Sequence, residues 1–369
     1  MKLEQGVFSF VDALGPEKVL YLYDPKTAMK GVVVVDNTAR GPSIGGVRMA
    51  LDVTTEEVAR LARAMTLKNS AADIQHGGGK SAILADPNVN NKSELIRAFA
   101  KAIIDLEDYI PGPDMGTKEE DMAIFYTEIG RVVGLPKDLG GIPLDEIGST
   151  GYGVSIATGI ACEYLEMKLD ESTVAIEGFG AVGKATAKYL SNKGAKIVAV
   201  SDSKGTIYNP EGLDYNELLR VKAITGAVKN YEGGRILNTR DLFRLPVDIL
   251  IPGARPDVIT KNNVDELKPK LIVEAANIPA TEEAEQILAK RGVLVIPDFI
   301  ANSGGVITAA VEYRGGIAEE AFDLIRLKIS SNTQEMLDLV FNQKMLPREA
   351  AERIAKQRIH NAMRLLGRM

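Results

Sequence analysis

Two lysines and one aspartate differ from the other charged residues because their neighbours are small or turn-forming. Lys68 occurs in MTLKNSAA, Lys80 follows the glycine run GGG, and Asp114 lies in PGPDMGT. Taken one at a time, each lysine is most simply a surface residue. Together, two cations and a carboxylate are able to bind an anionic group and to move a proton to and from a reacting atom.

The glycine pattern GFGAVG follows the apolar run TVAIE, opens a helix-like segment and precedes a second apolar run, KIVAVSD. A lone pattern of this kind is weak evidence, but the βαβ setting makes it specific for a dinucleotide site. Gly178 would permit the tight turn, Gly180 the approach of a pyrophosphate, and Gly183 close helix packing. Ala181 and Val182 lie between them and are predicted to contact the coenzyme.

Asp202, at the end of KIVAVSD, stands where a ribose-binding carboxylate belongs. A carboxylate there accepts ribose hydroxyls and repels a 2′-phosphate, which favours NAD. Ser203 is included in the predicted coenzyme site. Ser203 and Lys204 could also hold a phosphate, so NADP use stays open.

An amino-acid substrate would use all of these groups. Its α-carboxylate needs a cation, and the iminium formed by its oxidation must be hydrolysed by activated water beside a proton carrier. Lys68, Lys80 and Asp114 meet those needs next to a dinucleotide site. We therefore expect reversible oxidative deamination of an L-amino acid to a 2-oxo acid and ammonia.

The elements that must position these residues can be predicted from apolar spacing. GVVVVDN indicates a buried strand that ends in the glycine-rich turn GPSIGG. Thr54 is expected to cap a helix that runs to Lys68. The glycines at 77–79 are expected to interrupt the chain before a strand SAILADP, which places Lys80 at a loop-to-strand junction. The proline-rich PGPDMGT predicts a loop that carries Asp114.

The length of 369 residues exceeds what one hydrophobic core usually supports, so two domains with a cleft between them are expected. From Thr173 to about Ile300, five short apolar runs alternate with helical segments, as in a parallel βαβ sheet. The predicted class is α/β: a mixed α/β substrate and oligomerisation domain, a Rossmann-like NAD(P)-binding domain, and C-terminal helices that pack back on the first. The predicted ranges are 1–148, 149–315 and 316–369.

Composition favours a small-molecule partner. No apolar run is long enough for a membrane span, and MKLEQGVFSFVDALG lacks the apolar stretch of a signal peptide, so a cytoplasmic protein is expected. Cys162 is the only cysteine, and the two histidines show no metal-ligand spacing, so neither a disulfide nor a metal is expected. A net charge of -6 without a basic block gives no indication of nucleic-acid binding.

The sequence resembles the glutamate/leucine/phenylalanine/valine dehydrogenase family over most of its length. The matching motifs are GPSIGGVRM, MTLKNSAADIQHGGGKSAI, PGPDMGTKEEDM, STGYGV, GFGAVG, VSDSKGTIYNPEGLD, VEAAN and PDFIANSGGVI. The resemblance implies that Lys80 activates water, that Lys68 binds the substrate α-carboxylate, and that Asp114 shuttles protons to and from nitrogen.

Further positions follow from the same resemblance. Thr150 and Asn302 are expected at the coenzyme, and Asn277 and Gly78 at the substrate. The two asparagines fit a structural role equally well, in which they satisfy buried backbone groups. Family members are usually homohexamers or, in the leucine branch, octamers, so a homo-oligomer is expected.

Two departures from the pattern of glutamate-specific members concern the substrate. Those members carry a lysine where this chain has Ile44, and a serine where it has Ala309. An unpaired side-chain carboxylate would be costly to bury, so an apolar side chain is favoured. VSDSKGTIYNPEGLD, however, looks like the coenzyme domain of glutamate dehydrogenases. Glutamate dehydrogenase is therefore the alternative, with a cation such as Arg48 supplied from elsewhere.

Two other function classes fit the sequence less well. A non-catalytic NAD-binding regulatory protein would keep GFGAVG but would have no need of Lys68, Lys80 and Asp114. The run GGGKS is not the phosphate-binding loop of a nucleoside triphosphatase. The pattern G-x-x-x-x-G-K-[ST] of that loop requires glycine at the position where this chain has Ile74.

Overall fold

The computed structural model describes residues 10–369, which divide into two compact units. The first unit contains the described chain up to Pro143 with Val306–Glu320 and Ile354–Met369; the second contains Leu144–Gly305 and Ala321–Arg353. The C-terminal part is thus shared between the units, which differs from the three predicted ranges. Helical apolar spacing shows that a segment has a face to bury, but not which unit buries it. Those ranges stay predictions.

The first unit is built on a five-stranded mixed sheet. Its strands are β1 (Lys18–Asp24), β2 (Met29–Asn37), β3 (Ser43–Met49), β4 (Gly77–Ile83) and β5 (Tyr109–Pro113). Their order across the sheet is β1-β2-β4-β3-β5. The pairs β1/β2 and β2/β4 are antiparallel, whereas β3 runs parallel to β4 and β5. The strand predicted from GVVVVDN is confirmed as β2.

Helices cover both faces of this sheet. They include α1 (Thr55–Ala71), α2 (Lys92–Ala102) and α3 (Glu119–Ile129). Thr54 caps α1 by accepting a hydrogen bond from the Glu57 amide, as the sequence predicts. Val58 of α1 packs on one face, and Phe99 of α2 and Phe125 of α3 lie in the larger core on the other. Burial of these apolar faces is the main force that holds helices to a sheet.

Three strands contain residues that the sequence assigned to turns or loops. β3 includes the GPSIGG segment from Ser43, β4 includes all three glycines before Lys80, and β5 includes two prolines of PGPDMGT. The prediction of Lys80 at a loop-to-strand junction was therefore wrong. Glycine is required here by close approach, since a Cβ on Gly78 would lie 2.0 Å from the Thr66 nitrogen of α1. Proline is tolerated in β5 because it is an edge strand.

The second unit contains a seven-stranded sheet. Its strands are β6 (Thr173–Glu177), β7 (Lys196–Asp202), β8 (Gly205–Tyr208), β9 (Arg235–Leu237), β10 (Ile249–Pro252), β11 (Leu271–Val273) and β12 (Leu294–Ile296). The order is β12-β11-β10-β6-β7-β8-β9. The five predicted strands form the parallel part, and the short antiparallel β8 and β9 were not predicted. The expected α/β class with a Rossmann-like sheet is confirmed.

The remaining α-helices precede the strands of this sheet, connect them or close the chain. They are α4 (Leu144–Ile147), α5 (Ser149–Tyr164), α6 (Ala181–Asn192), α7 (Tyr215–Thr225), α8 (Glu282–Lys290), α9 (Asp298–Ala301), α10 (Gly304–Tyr313), α11 (Ala318–Gln343) and α12 (Pro347–Leu365). The strand order reverses at β6, which has β7 on one side and β10 on the other. Open parallel sheets bind ligands at the carboxyl ends of strands at such a point. The GFGAVG turn lies there.

Candidate active site

Side chains from three neighbouring strands share one face of the first sheet. Ile44 of β3 pairs in register with Gly78 of β4 and with Ile110 of β5. Paired positions in a sheet point to the same face, and every second residue along each strand follows them. Lys80 continues this set on β4, and Asp114 continues it directly after β5. The topology therefore brings the predicted base and the predicted proton shuttle together.

Lys80 and Asp114 form a close ion pair that is largely shielded from solvent. Lys80 Nζ lies 2.6 Å from Asp114 Oδ2, and the two side chains are 10% and 20% exposed. Gly46 makes room for the aspartate, since a Cβ there would lie 2.7 Å from Asp114 Cβ. Charges interact more strongly in such a shielded setting than at the surface. An ammonium and a carboxylate in contact can exchange a proton with each other or with a bound substrate.

The surroundings of Asp114 favour its ionised form. Burial alone would favour the neutral acid, but Lys80, the Met115 amide and Arg48 outweigh it and hold the pKa of Asp114 below its ordinary value. Arg48 Nε lies 3.4 Å from Asp114 Oδ2. Sequence reasoning considered Arg48 only as a spare cation. The signal that could have found this contact is the alternation within GGVRM, which puts Arg48 on the same face as Ile44.

Lys68 lies on the helix that packs against β4. It is half-buried near the end of α1. Its neighbour Asn69 donates a hydrogen bond to the Gly77 carbonyl at 2.6 Å. One turn earlier on α1, Thr66 packs closely against Gly78. The helix is thereby held against the strand that carries the predicted base. Substrate binding by Lys68 and Gly78 stays a prediction.

Ile44 and Ala309, the positions predicted to contact the substrate side chain, belong to one buried apolar cluster. Its other buried members are Ile110 and Val133. Ile44 is 4% exposed and Ala309 9%. The Val133 amide donates to the Pro111 carbonyl at 2.9 Å, which fixes this loop beside β5. Sequence reasoning missed Ile110 and Val133 because neither was singled out within a motif.

The GFGAVG turn has the backbone geometry of an anion site. Gly178 has φ +92°, and a Cβ on Gly183 would lie 1.8 Å from the Gly178 carbonyl oxygen. Gly180 faces open space where a Cβ would stand, and its position before α6 has no side-chain cap. The first helical residues, Ala181 and Val182, therefore present uncapped amides. These groups and the helix dipole fit the pyrophosphate of a dinucleotide.

Asp202 ends β7, but its carboxylate is already engaged within the protein. One oxygen accepts from the Lys204 amide at 2.8 Å, and the other accepts from Lys222 Nζ at 2.6 Å and the Val228 amide at 2.9 Å. Burial opposes ionisation, yet these donors hold the pKa of Asp202 below its ordinary value. Ser203 is exposed beside it. Lys222, which sequence reasoning missed, offsets part of the charge that would repel a 2′-phosphate.

Asn302 is hydrogen-bonded to the loop that contains Asn277. Its side-chain amide donates to Asn277 Oδ1 at 3.1 Å and to the carbonyls of Ala275 and Ala276 at 3.3 Å. Asn302 is buried, and its own Oδ1 finds no hydrogen-bond donor within the described chain. A buried acceptor of this kind needs a partner. The carboxamide of a nicotinamide ring would supply one, so these residues fit NAD(P).

Two further features surround this loop. Thr150, in the first turn of α5, abuts Gly305: a Cβ on that glycine would lie 3.2 Å from Thr150 Oγ1. Ile278, directly after Asn277, has φ +49°, a region that β-branched residues rarely adopt, and its amide donates to Asp298 Oδ2 at 3.0 Å. Strained residues of this type concentrate at functional loops.

Arg348 supports the same loop from the start of α12. It lies 3.1 Å from Asp298, 2.8 Å from Glu274 and 2.7 Å from Glu285. Glu274 is fully buried, and burial together with Glu285 and Asp298 raises its pKa well above the ordinary value in spite of Arg348. No sequence motif indicates this cluster, because the contacts join segments that are far apart along the chain.

Two kinds of feature are absent from residues 10–369. These residues contain no group of histidine, cysteine, aspartate and glutamate side chains that could hold a metal ion. No helix in the same range is long and apolar enough to cross a membrane.

Comparison with known proteins shows similarity along nearly the whole chain. The family model described as Glutamate/Leucine/Phenylalanine/Valine dehydrogenase matches residues 140–367, and the model described as Glu/Leu/Phe/Val dehydrogenase, dimerisation domain, matches residues 16–131. Glutamate dehydrogenase of Aeropyrum pernix is 42% identical over 357 residues, 90% of this chain and 85% of that protein. NADP-specific glutamate dehydrogenase of Saccharolobus shibatae is 40% identical over 310 residues, 78% of this chain and 73% of that protein.

The solved structures of similar fold include proteins that are named for different amino acids. The hetero-hexameric glutamate dehydrogenase of Thermus thermophilus, in its leucine-bound form, has a TM-score of 0.83 at 27% identity, over 97% of this chain and 92% of that one. L-tryptophan dehydrogenase of Nostoc punctiforme has a TM-score of 0.79 at 27% identity, over 97% and 99%.

Proposed function

Because the chain belongs to the glutamate/leucine/phenylalanine/valine dehydrogenase family, we propose that it acts on L-amino acids with apolar side chains. It is an NAD(P)-dependent enzyme that oxidatively deaminates an L-amino acid to its 2-oxo acid and ammonia, and catalyses the reverse amination. The alternative of a non-catalytic regulatory protein is not retained.

In this proposal the first unit supplies the groups that act on the amino acid. Lys68 binds the α-carboxylate, Asp114 accepts a proton from the substrate nitrogen, and Lys80 activates the water that adds to the iminium carbon before ammonia leaves. The oxidised coenzyme supplies the acceptor for the hydride from Cα. The 2.6 Å contact between Lys80 and Asp114 supports these roles, because the two groups can then act on neighbouring atoms of one bound substrate.

The buried cluster of Ile44, Ile110, Val133 and Ala309 is the observation that carries the substrate class. A carboxylate brought against it would lose hydration without gaining a partner. Arg48, the spare cation considered from the sequence, contacts Glu57 and Asp114 and is thereby engaged. An aliphatic or aromatic side chain would gain from the same contact.

Glutamate is the second candidate, since a glutamate dehydrogenase is 42% identical to this chain. That function requires a cation near Ile44 and Ala309 from another residue. The test measures NADH and ammonia formation from leucine, valine, phenylalanine and glutamate by the unmodified enzyme. We expect the highest kcat/KM with an apolar amino acid; the highest value with glutamate would refute the proposed substrate class.

For the coenzyme we propose a preference for NAD, with NADP accepted. The turn at Gly178, Gly180 and Gly183, with Ala181 and Val182, would bind the pyrophosphate. Asp202 and Ser203 would contact the adenosine ribose, and Thr150 and Asn302 the nicotinamide, with Asn277 nearer the substrate. The negative charge of Asp202 favours NAD, whereas its contact with Lys222 weakens that preference.

We also propose a homo-oligomer, a hexamer or an octamer. The dimerisation-domain model that matches residues 16–131 and the hexameric Thermus thermophilus neighbour support it. Light scattering of the purified protein tests it, and a monomer at micromolar concentration would contradict it. A cytoplasmic location stays a prediction.

A further inference from the structure

Arg48 is the register neighbour of Asp114 on β3. Gly46 of β3 pairs with Gly112 of β5, so the next positions on the same face bring Arg48 beside Asp114. Arg48 Nε lies 3.4 Å from Asp114 Oδ2, the oxygen that also faces Lys80 Nζ at 2.6 Å. Within the described chain, neither Arg48 Nε nor Asp114 Oδ2 has a well-directed hydrogen bond. Their interaction is therefore one of charge with charge.

The other end of the Arg48 guanidinium is also held. Its Nη1 contacts Glu57 on α1, and the Glu57 amide in turn donates to the Thr54 side chain that caps this helix. Only 17% of the Arg48 side chain is exposed. The guanidinium is thus fixed between the start of α1 and the Asp114 carboxylate, which distinguishes it from a mobile surface arginine.

Arg48 and Lys80 differ in one property that matters for proton transfer. A lysine that activates water must at some point lose its proton, whereas a guanidinium stays protonated in proteins. When Lys80 is neutral, the Asp114 carboxylate loses the charge of its nearer partner. Arg48 then still lies beside it as a cation.

We propose that Arg48 is a positioning residue for the proton shuttle. It holds the Asp114 carboxylate toward Lys80 and keeps it ionised while Lys80 is neutral. The proposal rests on the shuttle role proposed above for Asp114. In this proposal Arg48 takes part in the reaction of every substrate. The sequence had instead suggested it as a cation that would bind the side-chain carboxylate of glutamate.

The charged and titratable groups around Asp114 come from three strands. Lys80 faces it from β4 and Arg48 from β3, and Tyr109 belongs to β5 itself. The pKa of Tyr109 is raised by burial and to a smaller extent by the negative charge of Asp114. Burial opposes ionisation of Asp114, and the cations outweigh it. Loss of Arg48 removes one of the cations that favour the ionised form, so the proton affinity of Asp114 must rise.

The experiment compares Arg48→Gln and Arg48→Lys with Glu57→Gln. The last variant breaks the link to α1 but leaves the Arg48 charge beside Asp114. The readout is the pH dependence of kcat/KM for oxidative deamination of the preferred amino acid at saturating coenzyme, with circular dichroism as a check on folding. The acid limb is the part of this pH profile in which kcat/KM falls as the pH is lowered. For Arg48→Gln we expect the midpoint of the acid limb to move up by about one pH unit and kcat to fall about tenfold. Arg48→Lys should keep the limb of the unmodified enzyme. Glu57→Gln loosens the guanidinium but keeps its charge, so it should move the limb less than Arg48→Gln does.

Two results overturn the proposal: an unmoved acid limb in folded Arg48→Gln, or an equal shift in Glu57→Gln. If Arg48→Gln does not fold, Arg48→Met takes its place, because it also removes the charge and keeps an unbranched side chain. A limb at higher pH in Arg48→Met than in Arg48→Lys supports the proposal, and equal limbs in the two folded variants contradict it. Asp114→Asn separates the two levels of the argument. Full activity of Asp114→Asn removes the shuttle role and the Arg48 proposal with it. If Asp114→Asn is inactive and the acid limb of Arg48→Gln does not move, the Arg48 proposal alone is refuted and the shuttle role of Asp114 stands.

Discussion

Ile44 and Ala309 come from opposite halves of the chain and lie in the same buried apolar cluster of the first unit. One belongs to strand β3 and the other to helix α10. Their sequence motifs singled out both, and the fold adds Ile110 and Val133 to them. In the proposed function, the substrate class depends on an apolar cluster to which four segments contribute.

Ile44→Lys with Ala309→Ser should shift the preference toward glutamate. The new ammonium and hydroxyl provide partners for a side-chain carboxylate, and they remove apolar contact for leucine. We expect the ratio of kcat/KM for glutamate to that for leucine to rise at least about tenfold, or ~1.4 kcal/mol. Ile44→Met, which conserves volume and polarity, is the control and should leave the ratio within about threefold. An unchanged ratio in the folded double variant would remove these positions from substrate recognition.

Lys80→Ala and Asp114→Asn should each lower kcat by roughly 10²- to 10⁴-fold, the usual contribution of general acid–base catalysis. Coenzyme binding should persist, because the GFGAVG turn belongs to the second unit. Steady-state kinetics and quenching or enhancement of NADH fluorescence measure the two properties separately. A loss of less than about tenfold at saturating substrate, in either variant, would exclude that residue from the chemical step.

Asp202 and Lys222 should change coenzyme preference in opposite directions. Asp202→Ser removes the charge that repels a 2′-phosphate and should raise NADP use relative to NAD. Lys222→Gln removes the ammonium that lies 2.6 Å from Asp202, and it should lower NADP use relative to NAD. We expect changes of about tenfold in the ratio of kcat/KM values, equivalent to ~1.4 kcal/mol. Shifts of the same sign in both variants would show that Lys204 or another residue controls the choice.

Arg348→Met should destabilise the protein strongly at neutral pH. It leaves the buried Glu274 and the nearby Glu285 and Asp298 without their cation, and breaking a buried pair in this way costs about 3–5 kcal/mol. Arg244→Met, which breaks the exposed pair with Glu266, is the matched control and should lower the melting temperature much less. Thermal melting of both variants tests this, and equal melting temperatures would contradict it.

The loss in Arg348→Met should shrink on acidification. The pKa of Glu274 is raised in the folded protein above its ordinary value of 4.5, chiefly by burial. A raised carboxyl pKa means that the folded state binds the proton more tightly. Its stabilising contribution is complete below the unfolded value and is lost as pH rises through the folded value. Arg348 opposes the rise in the pKa of Glu274, so the Arg348→Met substitution enlarges that rise. The difference in melting temperature between the unmodified protein and Arg348→Met should therefore be smaller at about pH 5 than at about pH 8.

Local pattern was sufficient to predict much of the fold. The five parallel strands of the second unit and the start of α1 at Thr54 follow from β-branched runs and from helix capping, which are properties of neighbouring residues. The strands β3, β4 and β5 were missed in whole or in part because glycine and proline usually mark turns. Here the glycines permit contact between elements: a Cβ on Gly45 would lie 1.7 Å from the Gly79 carbonyl oxygen.

The predicted site residues were those with chemistry in a motif, and the missed ones act only through tertiary contact. Lys80 and Asp114 could be selected from their types and neighbours. Arg48 beside Asp114, Lys222 beside Asp202, and the Arg348 cluster depend on register and on packing between distant segments. A single sequence carries that information only in the alternation of a strand such as GGVRM.

A competition experiment tests the apolar substrate class most directly. The unmodified enzyme is given ammonia, NADH and equal concentrations of the 2-oxo acids of leucine, valine, phenylalanine and glutamate, and the amino acids formed at low conversion are quantified. At equal concentrations, the product ratio equals the ratio of kcat/KM values. An unpaired carboxylate at the Ile44 and Ala309 cluster should cost at least a few kcal/mol, so an apolar amino acid should exceed glutamate by roughly a hundredfold or more. Glutamate as the main product would contradict the account.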